Sequence, residues 1–225
     1  MIISSLAVPI STLGIIGKLY SCPKLPQPRI HIYATENRLL IDNTKNRQQL
    51  NSLSKTSLSP IYGREFPVVN GLTSSKIDIS ADTSFAIASN PILKKSCITA
   101  QEVSVNLVYS PTVYIYRNYR PNSCIYNEVM KHELQHVQVD RNALSAFKEY
   151  IKKATEYAIE TTKEAKPFNS TLLESKKIHI SKSISTAVKF ATNKMQEQLT
   201  SRQRQIDTRE EYQRLSEVCP HENKR

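Results

Sequence analysis

Residues 102–137 read EVSVNLVYSPTVYIYRNYRPNSCIYNEVMKHELQHV, and the apolar period changes once within them. Val103, Val105, Leu107 and Tyr109 alternate with polar or smaller neighbours, the period-two pattern of a half-buried strand. Ser110-Pro111 reads as a turn into a second strand, Thr112–Tyr116, so the expectation is a β-hairpin at 102–116. Beyond Pro121 the period becomes 3.6. Asn122 or Ser123 can cap a helix whose apolar stripe runs through Ile125, Val129, Val137, Leu144, Phe147, Ile151, Ala154 and Ala158. No Gly or Pro interrupts it before Pro167. The expectation is one helix of about 60 Å, or two helices that bend near Asp140-Arg141-Asn142.

Outward from this stretch, Ile180, Ile184, Val188, Ala191, Met195 and Leu199 mark a second helix. Thr208 followed by Glu211 is a capping box for a third, which should bury Tyr212 and Leu215. Upstream lie short extended runs at Arg29–Tyr33, Ile77–Ile79 and Phe85–Ala88, and a polar stretch at 43–59 that reads as a loop. Strands first and helices afterwards give an α+β class: an antiparallel sheet followed by long helices. We expect one domain over 22–225, with its sheet part at 22–121 and its helical part at 122–225.

The 225 residues include only 4 Gly, so no Gly-rich phosphate loop or dinucleotide fingerprint is present. The net charge of +11 is diffuse. Residues 1–60 carry 7 basic and 2 acidic groups, 61–122 carry 6 and 4, 123–166 carry 7 and 7, and 167–225 carry 11 and 7. No basic run exceeds two residues, and no zinc-finger, basic-zipper or RNA-binding signature appears, so no specific nucleic-acid partner is expected. A solvated basic surface that meets an anionic envelope is the simpler reading.

Met1–Gly17 is uncharged and apolar, with the length of a signal-peptide core, although it lacks a basic start and Pro9 interrupts it. We read 1–21 as a signal or apolar N-terminal segment and expect a periplasmic or secreted protein. Leu19-Tyr20-Ser21-Cys22 is a poor lipoprotein box because Tyr20 is bulky. Cys22, Cys97, Cys124 and Cys219 lack CxxC spacing, which argues against thiolate zinc. Two disulfides with three connectivities are open to them. Cys22 with Cys219 would tie the ends and leave Cys97 and Cys124 to bracket the hairpin; four reduced thiols are the other reading.

His132-Glu133-Leu134-Gln135-His136 carries the chemistry. Two histidines four apart leave one helix face about a turn from each other, so two imidazole nitrogens can reach one Zn2+. Glu133 lies at the edge of that face, placed to take a proton from a water that zinc acidifies. Here the chain resembles the zincin class of HExxH zinc metallopeptidases, with Val129 three residues before the first His and uncharged Met130, Leu134, Gln135 and Val137 around the ligands; Gln138 departs from that pattern. Arg117–Cys124, leading into the helix, also resembles an uncharacterised family of exported bacterial HExxH proteins. The resemblance implies a sheet over the helix, an edge strand that aligns substrate, for which Thr112–Tyr116 would serve, and a peptide or protein as substrate.

The third ligand is open. Val139 and Asn142 stand where a metzincin has Gly and His. Glu156 and Glu160 have the spacing of a glutamate zincin but on a straight helix would lie about 30 Å away. Asp140, one turn along the His face, is our choice, either as ligand or to orient His136 through its second nitrogen. His179, Asp207, Glu210 and Glu211 are remote candidates, and Tyr116, Tyr119 and Tyr126 could serve an oxyanion. The expectation is therefore a zinc metallopeptidase with Glu133 as base and His132, His136 and Asp140 about the metal. The alternatives are a non-catalytic envelope protein with a vestigial HExxH, and a basic polyanion-binding module.

Overall fold

The period-3.6 stretch after Pro121 forms a single 39-residue helix, Cys124–Thr162, in a computed structural model that describes residues 20–62, 69–164 and 166–220. Ser123 caps it: its Oγ accepts from the Tyr126 N–H at 3.3 Å. With no Gly or Pro inside, the helix continues unbroken through 140–142 over 39 residues, about 58 Å at 1.5 Å per residue. No second, returning helix therefore begins at 140–142, and Glu156 and Glu160 stay on the histidine helix, more than five turns from His136. Glu156 instead pairs with Lys152 and Glu160 with Lys163.

The strand region departs from expectation. The strands are β1 (Arg29–Glu36), β2 (Leu40–Asp42), β3 (Gly71–Asn90), β4 (Lys95–Ile115) and β5 (Phe168–Asn169). The expected hairpin at 102–116 is half of one continuous strand, β4, and the true hairpin is β3 with β4. Ser110-Pro111 does not turn the chain. The Tyr109 carbonyl accepts from Asn37 on the β1 side, so by alternation the Pro111 nitrogen also faces that side. There the pairing of β1 ends at Tyr109 and that of β2 begins at Thr112. The missing N–H of proline falls in the gap and no ladder bond is lost. The sheet is also mixed rather than antiparallel, because β1 and β2 run parallel to β4.

β4 is the centre, flanked by β3 on one side and by β1, β2 and β5 on the other. Its odd-numbered side chains Val103, Val105, Leu107, Tyr109, Val113 and Ile115 are buried in one core with α-helical residues from both long helices. The polar stretch read as a loop holds α1 (Arg47–Tyr62). Asn46 and Gln49 each accept at 2.9 Å from the other's backbone N–H, a reciprocal cap that starts this helix, and Leu50 is fully buried.

The Cys124–Thr162 helix is α2. After it come α3 (Leu173–Ile206) and α4 (Arg209–Glu217). Lys176 pairs with Glu164 at one end and His136 meets Gln203 at the other, so α2 and α3 are antiparallel. All six apolar positions expected of α3, from Ile180 to Leu199, are buried. Thr208 caps α4 by accepting from the Glu211 N–H at 3.2 Å; Leu215 is buried and Tyr212 half-buried.

Both disulfides form, but as Cys22–Cys97 and Cys124–Cys219. The suggested tie between Cys22 and Cys219 is therefore corrected. Cys97 sits on β4 beside β5, whereas Cys219 follows α4, which packs on the start of α2. The apolar segment 1–19 lies outside the described residues. Among the described residues no helix is long and apolar enough to cross a membrane.

Candidate metal centre

His132 and His136 project from α2 toward the junction between α3 and α4 rather than toward the sheet. That junction is only two residues, Asp207 and Thr208, and the Asp207 N–H still donates to the Gln203 carbonyl at 3.3 Å. Asp207 thus places a carboxylate at the C-terminal, negative end of a 34-residue helix, with a side chain only 12% exposed. That position repels an anion, so it requires a positive partner.

The partners are the two imidazoles. His136 Nε2 lies 3.0 Å from Asp207 Oδ1, His132 Nε2 3.3 Å from the same oxygen, and the two Nε2 atoms 3.3 Å from each other. A tetrahedral metal with ligands at about 2.0–2.1 Å has edges of about 3.3 Å. His132, His136 and Asp207 therefore form one face of such a polyhedron, and this group could hold a metal ion.

The outer nitrogens settle the orientation of the rings. Gln203 Nε2 donates to the His136 carbonyl at 3.1 Å and to Asp140 Oδ1 at 2.6 Å. Its Oε1 is thereby left facing His136 Nδ1, which must be the donor. Glu211 Oε1 lies 3.3 Å from His132 Nδ1 and, as a carboxylate, also accepts. Arg214 holds Glu211 at 2.8 Å and reaches Glu128 on α2 at 2.8 Å, and it keeps the Glu211 carboxyl below the usual range. With Nδ1–H fixed on both rings, both Nε2 lone pairs and the Asp207 oxygen converge on one point. Three acceptors within 3.3 Å need a cation or a proton between them. Burial alone would lower the His136 pKa, but the Asp207 hydrogen bond and the charges of Glu133 and Asp207 outweigh it and push it up to about 9. Burial would raise the Asp207 carboxyl, yet hydrogen bonds from His132 and His136 hold it well below the carboxylate range.

Glu133 is buried beside the pair, and burial pushes its carboxyl upward against the pull of both imidazoles. Thr73 on β3 donates to Glu133 Oε2 at 2.9 Å. Gly71 gives the carboxylate room: a Cβ there would come within 2.5 Å of Val129 Cγ1 and 2.6 Å of Glu133 Oε1. A cleft of about 420 Å³ opens here, walled by Gly71–Ser75 of β3 and by α3 from Gln196 to Arg204, and it reaches Glu133, His136 and Asp207. The strand beside the centre is thus β3. Thr112–Tyr116, expected as the edge, is paired on both sides at Thr112–Tyr114. By alternation, the backbone groups of Gly71, Thr73 and Ser75 point away from β4, toward an edge that no strand among the described residues covers.

Asp140 is buried but does not join the three converging atoms. Its Oδ2 accepts from Tyr109 at 3.0 Å and from Ser75, and its Oδ1 accepts from Gln203, so it orients His136 through the glutamine. The carboxylate that does join is Asp207, and Glu211 backs His132. The other remote candidates lie elsewhere: Glu210 is exposed, and His179 is on the distal part of α3. Tyr116 and Tyr119 pack edge to face on each other, and the Tyr126 hydroxyl meets Asn43. The tyrosine at the centre is Tyr212, whose hydroxyl donates to Asp207 Oδ1 at 3.3 Å. Gln203, Thr73 and Gly71 carried no motif. Asp207 was only one of four remote candidates; the local feature at its position is the Thr208–Glu211 capping box, which marks the turn between two helices.

No protein-family model matches the chain, and no curated protein or solved structure shows significant similarity to it.

Proposed function

We propose that the chain is a zinc-dependent metallopeptidase of the zincin type, with His132, His136 and Asp207 as metal ligands and Glu133 as general base. One observation carries this reading: three lone pairs converge with tetrahedral-edge spacing beside a buried carboxylate, at the wall of a cleft. Two imidazoles and a carboxylate are a donor set that suits Zn2+. Zinc in such a place supplies Lewis acidity, which acidifies water and polarises a carbonyl.

The chain's own groups do the rest. Glu133, with Oε2 held by Thr73, accepts the proton of the attacking water and returns it to the leaving amine. The edge of β3, unpaired among the described residues, offers N–H and C=O groups of Gly71, Thr73 and Ser75 to an extended peptide, which would run along the cleft. Tyr212 and Glu211 hold Asp207 and His132 in place. The cleft side that His136 and Asp207 share also favours catalysis over the alternative, an inert metal protein, because purely structural zinc sites enclose the ion with four protein ligands. Two disulfides support an oxidising, exported setting, and the diffuse +11 charge suits an anionic envelope surface.

The test is metal analysis of the oxidised protein together with hydrolysis of a quenched-fluorescence peptide library. About one zinc per chain is expected, with loss of metal in His132→Ala and Asp207→Ala. Glu133→Gln should keep the metal and lose hydrolysis. A Glu133→Gln protein as active as the parent would remove the assigned base, and a parent that takes up no zinc would remove the centre.

A further inference from the structure

About 21 Å along α2 from His136, the two long helices leave a groove of about 880 Å³ between them. It runs from Tyr150 and Phe190 at one end to Thr161 and His179 at the other, about 16 Å at 1.5 Å per residue. Its floor is made of small side chains, Ala154 and Ala158 on α2 facing Ser183 and Ala187 on α3, spaced four apart on each helix. Its walls are aromatic. Tyr157 is 73% exposed and Phe190 56%, an apolar surface that water does not favour.

All charged groups that line this groove are basic. Lys153 and Lys182 stand at its rim with His179. Glu156 pairs with Lys152 and Glu160 with Lys163, and among the described residues no ion pair joins Lys153 or Lys182 to a carboxylate, although Glu149 stands one turn from Lys153. An apolar trough of this volume with basic groups along its rim has the form of a small-ligand site.

We propose that the groove binds an amphiphile with a single acyl chain and an anionic head, the chain on the alanine floor and the head drawn to the basic rim that Lys153 and Lys182 provide. The charges select this occupant. A second copy seated here would bring lysines against lysines. A neutral apolar ligand would fill the floor but draw nothing from the two ammonium groups. The site is remote from the metal centre and does not depend on its chemistry.

The experiment is calorimetric titration of the full-length, oxidised protein with laurate below its micellar range. Dodecanol and dodecyltrimethylammonium are controls, and phosphatidylglycerol vesicles form a separate arm. Laurate should bind saturably at one per chain. It should weaken about tenfold or more in Lys153→Glu/Lys182→Glu, the loss expected when charge-assisted contacts are removed. Ala154→Phe, which fills the floor, should also weaken it, and the trimethylammonium analogue should not compete. These lysines are exposed, so the double variant should fold and reports even if Ala154→Phe does not. No laurate binding, equal binding by the double variant, or association with vesicles alone would each overturn the proposal. A stable dimer that covers the groove and that laurate does not dissociate would do the same, since it assigns the groove to a second copy.

Discussion

Gln203 donates its amide N–H to Asp140 Oδ1 at 2.6 Å, and this bond fixes which end of the glutamine faces His136. Asp140 is held in turn by Ser75 and Tyr109 from the sheet. The strands therefore set the tautomer of an imidazole they do not touch. Asp140→Asn presents an amide nitrogen or a poorer acceptor to Gln203 and frees it to rotate. Metal affinity should fall by roughly 10- to 100-fold, the usual cost of removing a partner behind a ligating histidine. Competition with a chromophoric chelator measures it. An unchanged affinity would mean that Gln203 is held without Asp140.

The two disulfides should separate in their effects. Cys124–Cys219 joins the first residue of α2 to the end of the segment that carries Asp207, Glu211 and Tyr212. Cys22–Cys97 ties the N-terminal segment to β4, away from the centre. Each closes a long loop, so loss of either should cost about 2–5 kcal/mol in denaturant unfolding. Only Cys124→Ser/Cys219→Ser should also weaken zinc binding, because Asp207 and Glu211 are then free to move away from the imidazoles. Equal zinc affinity in the two double variants would rule out this role for Cys124–Cys219.

In the metal-free protein the proton that His136 holds stands where a metal would sit. Its pKa is raised from 6.5 to about 9, so its contribution to stability is full below about 6.5 and is lost as pH rises through about 9. Metal must displace that proton. Zinc affinity should therefore rise with pH between about 6.5 and 9, while metal-free stability falls over the same interval. Calorimetry in buffers of different ionisation enthalpy counts the released proton. Affinity that stays flat across the interval would contradict it.

The helical half was legible because its signals are local. The stripe from Ile125 to Ala158, the buried positions of α3 and the Thr208 cap all follow from period and capping chemistry. The sheet was less so, since Pro111 signals a turn unless a neighbouring strand happens to end beside it, and that depends on residues seventy positions away. The α1 cap at Asn46 and Gln49 was readable but hidden in a polar stretch. The two histidines and Glu133 came from one motif, whereas Asp207 is 71 residues from His136 and reaches it only because α3 returns antiparallel to α2. Asp140 lay on the right face, yet the direction of its side chain was set by Tyr109, Ser75 and Gln203, none of which a helical wheel contains.

Gly71 separates the assigned base from the ligands. It begins β3 where that strand crosses Val129 and Glu133, and it has no positive φ to demand glycine. Its requirement is space. A methyl group there would lie 2.5 Å from Val129 Cγ1 and 2.6 Å from Glu133 Oε1, and both are buried on a helix packed against the sheet. Val129 cannot retreat without disturbing the core, so overpacking should cost about 1–3 kcal/mol. The softer response is for the Glu133 carboxylate to swing aside, which breaks its bond to Thr73. Gly71→Ala should therefore bind zinc at full stoichiometry with affinity close to the parent's, since the atoms nearest a methyl there belong to Val129 and Glu133 and not to His132, His136 or Asp207. Its kcat should fall much more than its KM changes. Full activity with zinc retained would show that Glu133 needs neither Thr73 nor the space over Gly71, whereas loss of zinc would tie the strand to the ligands themselves.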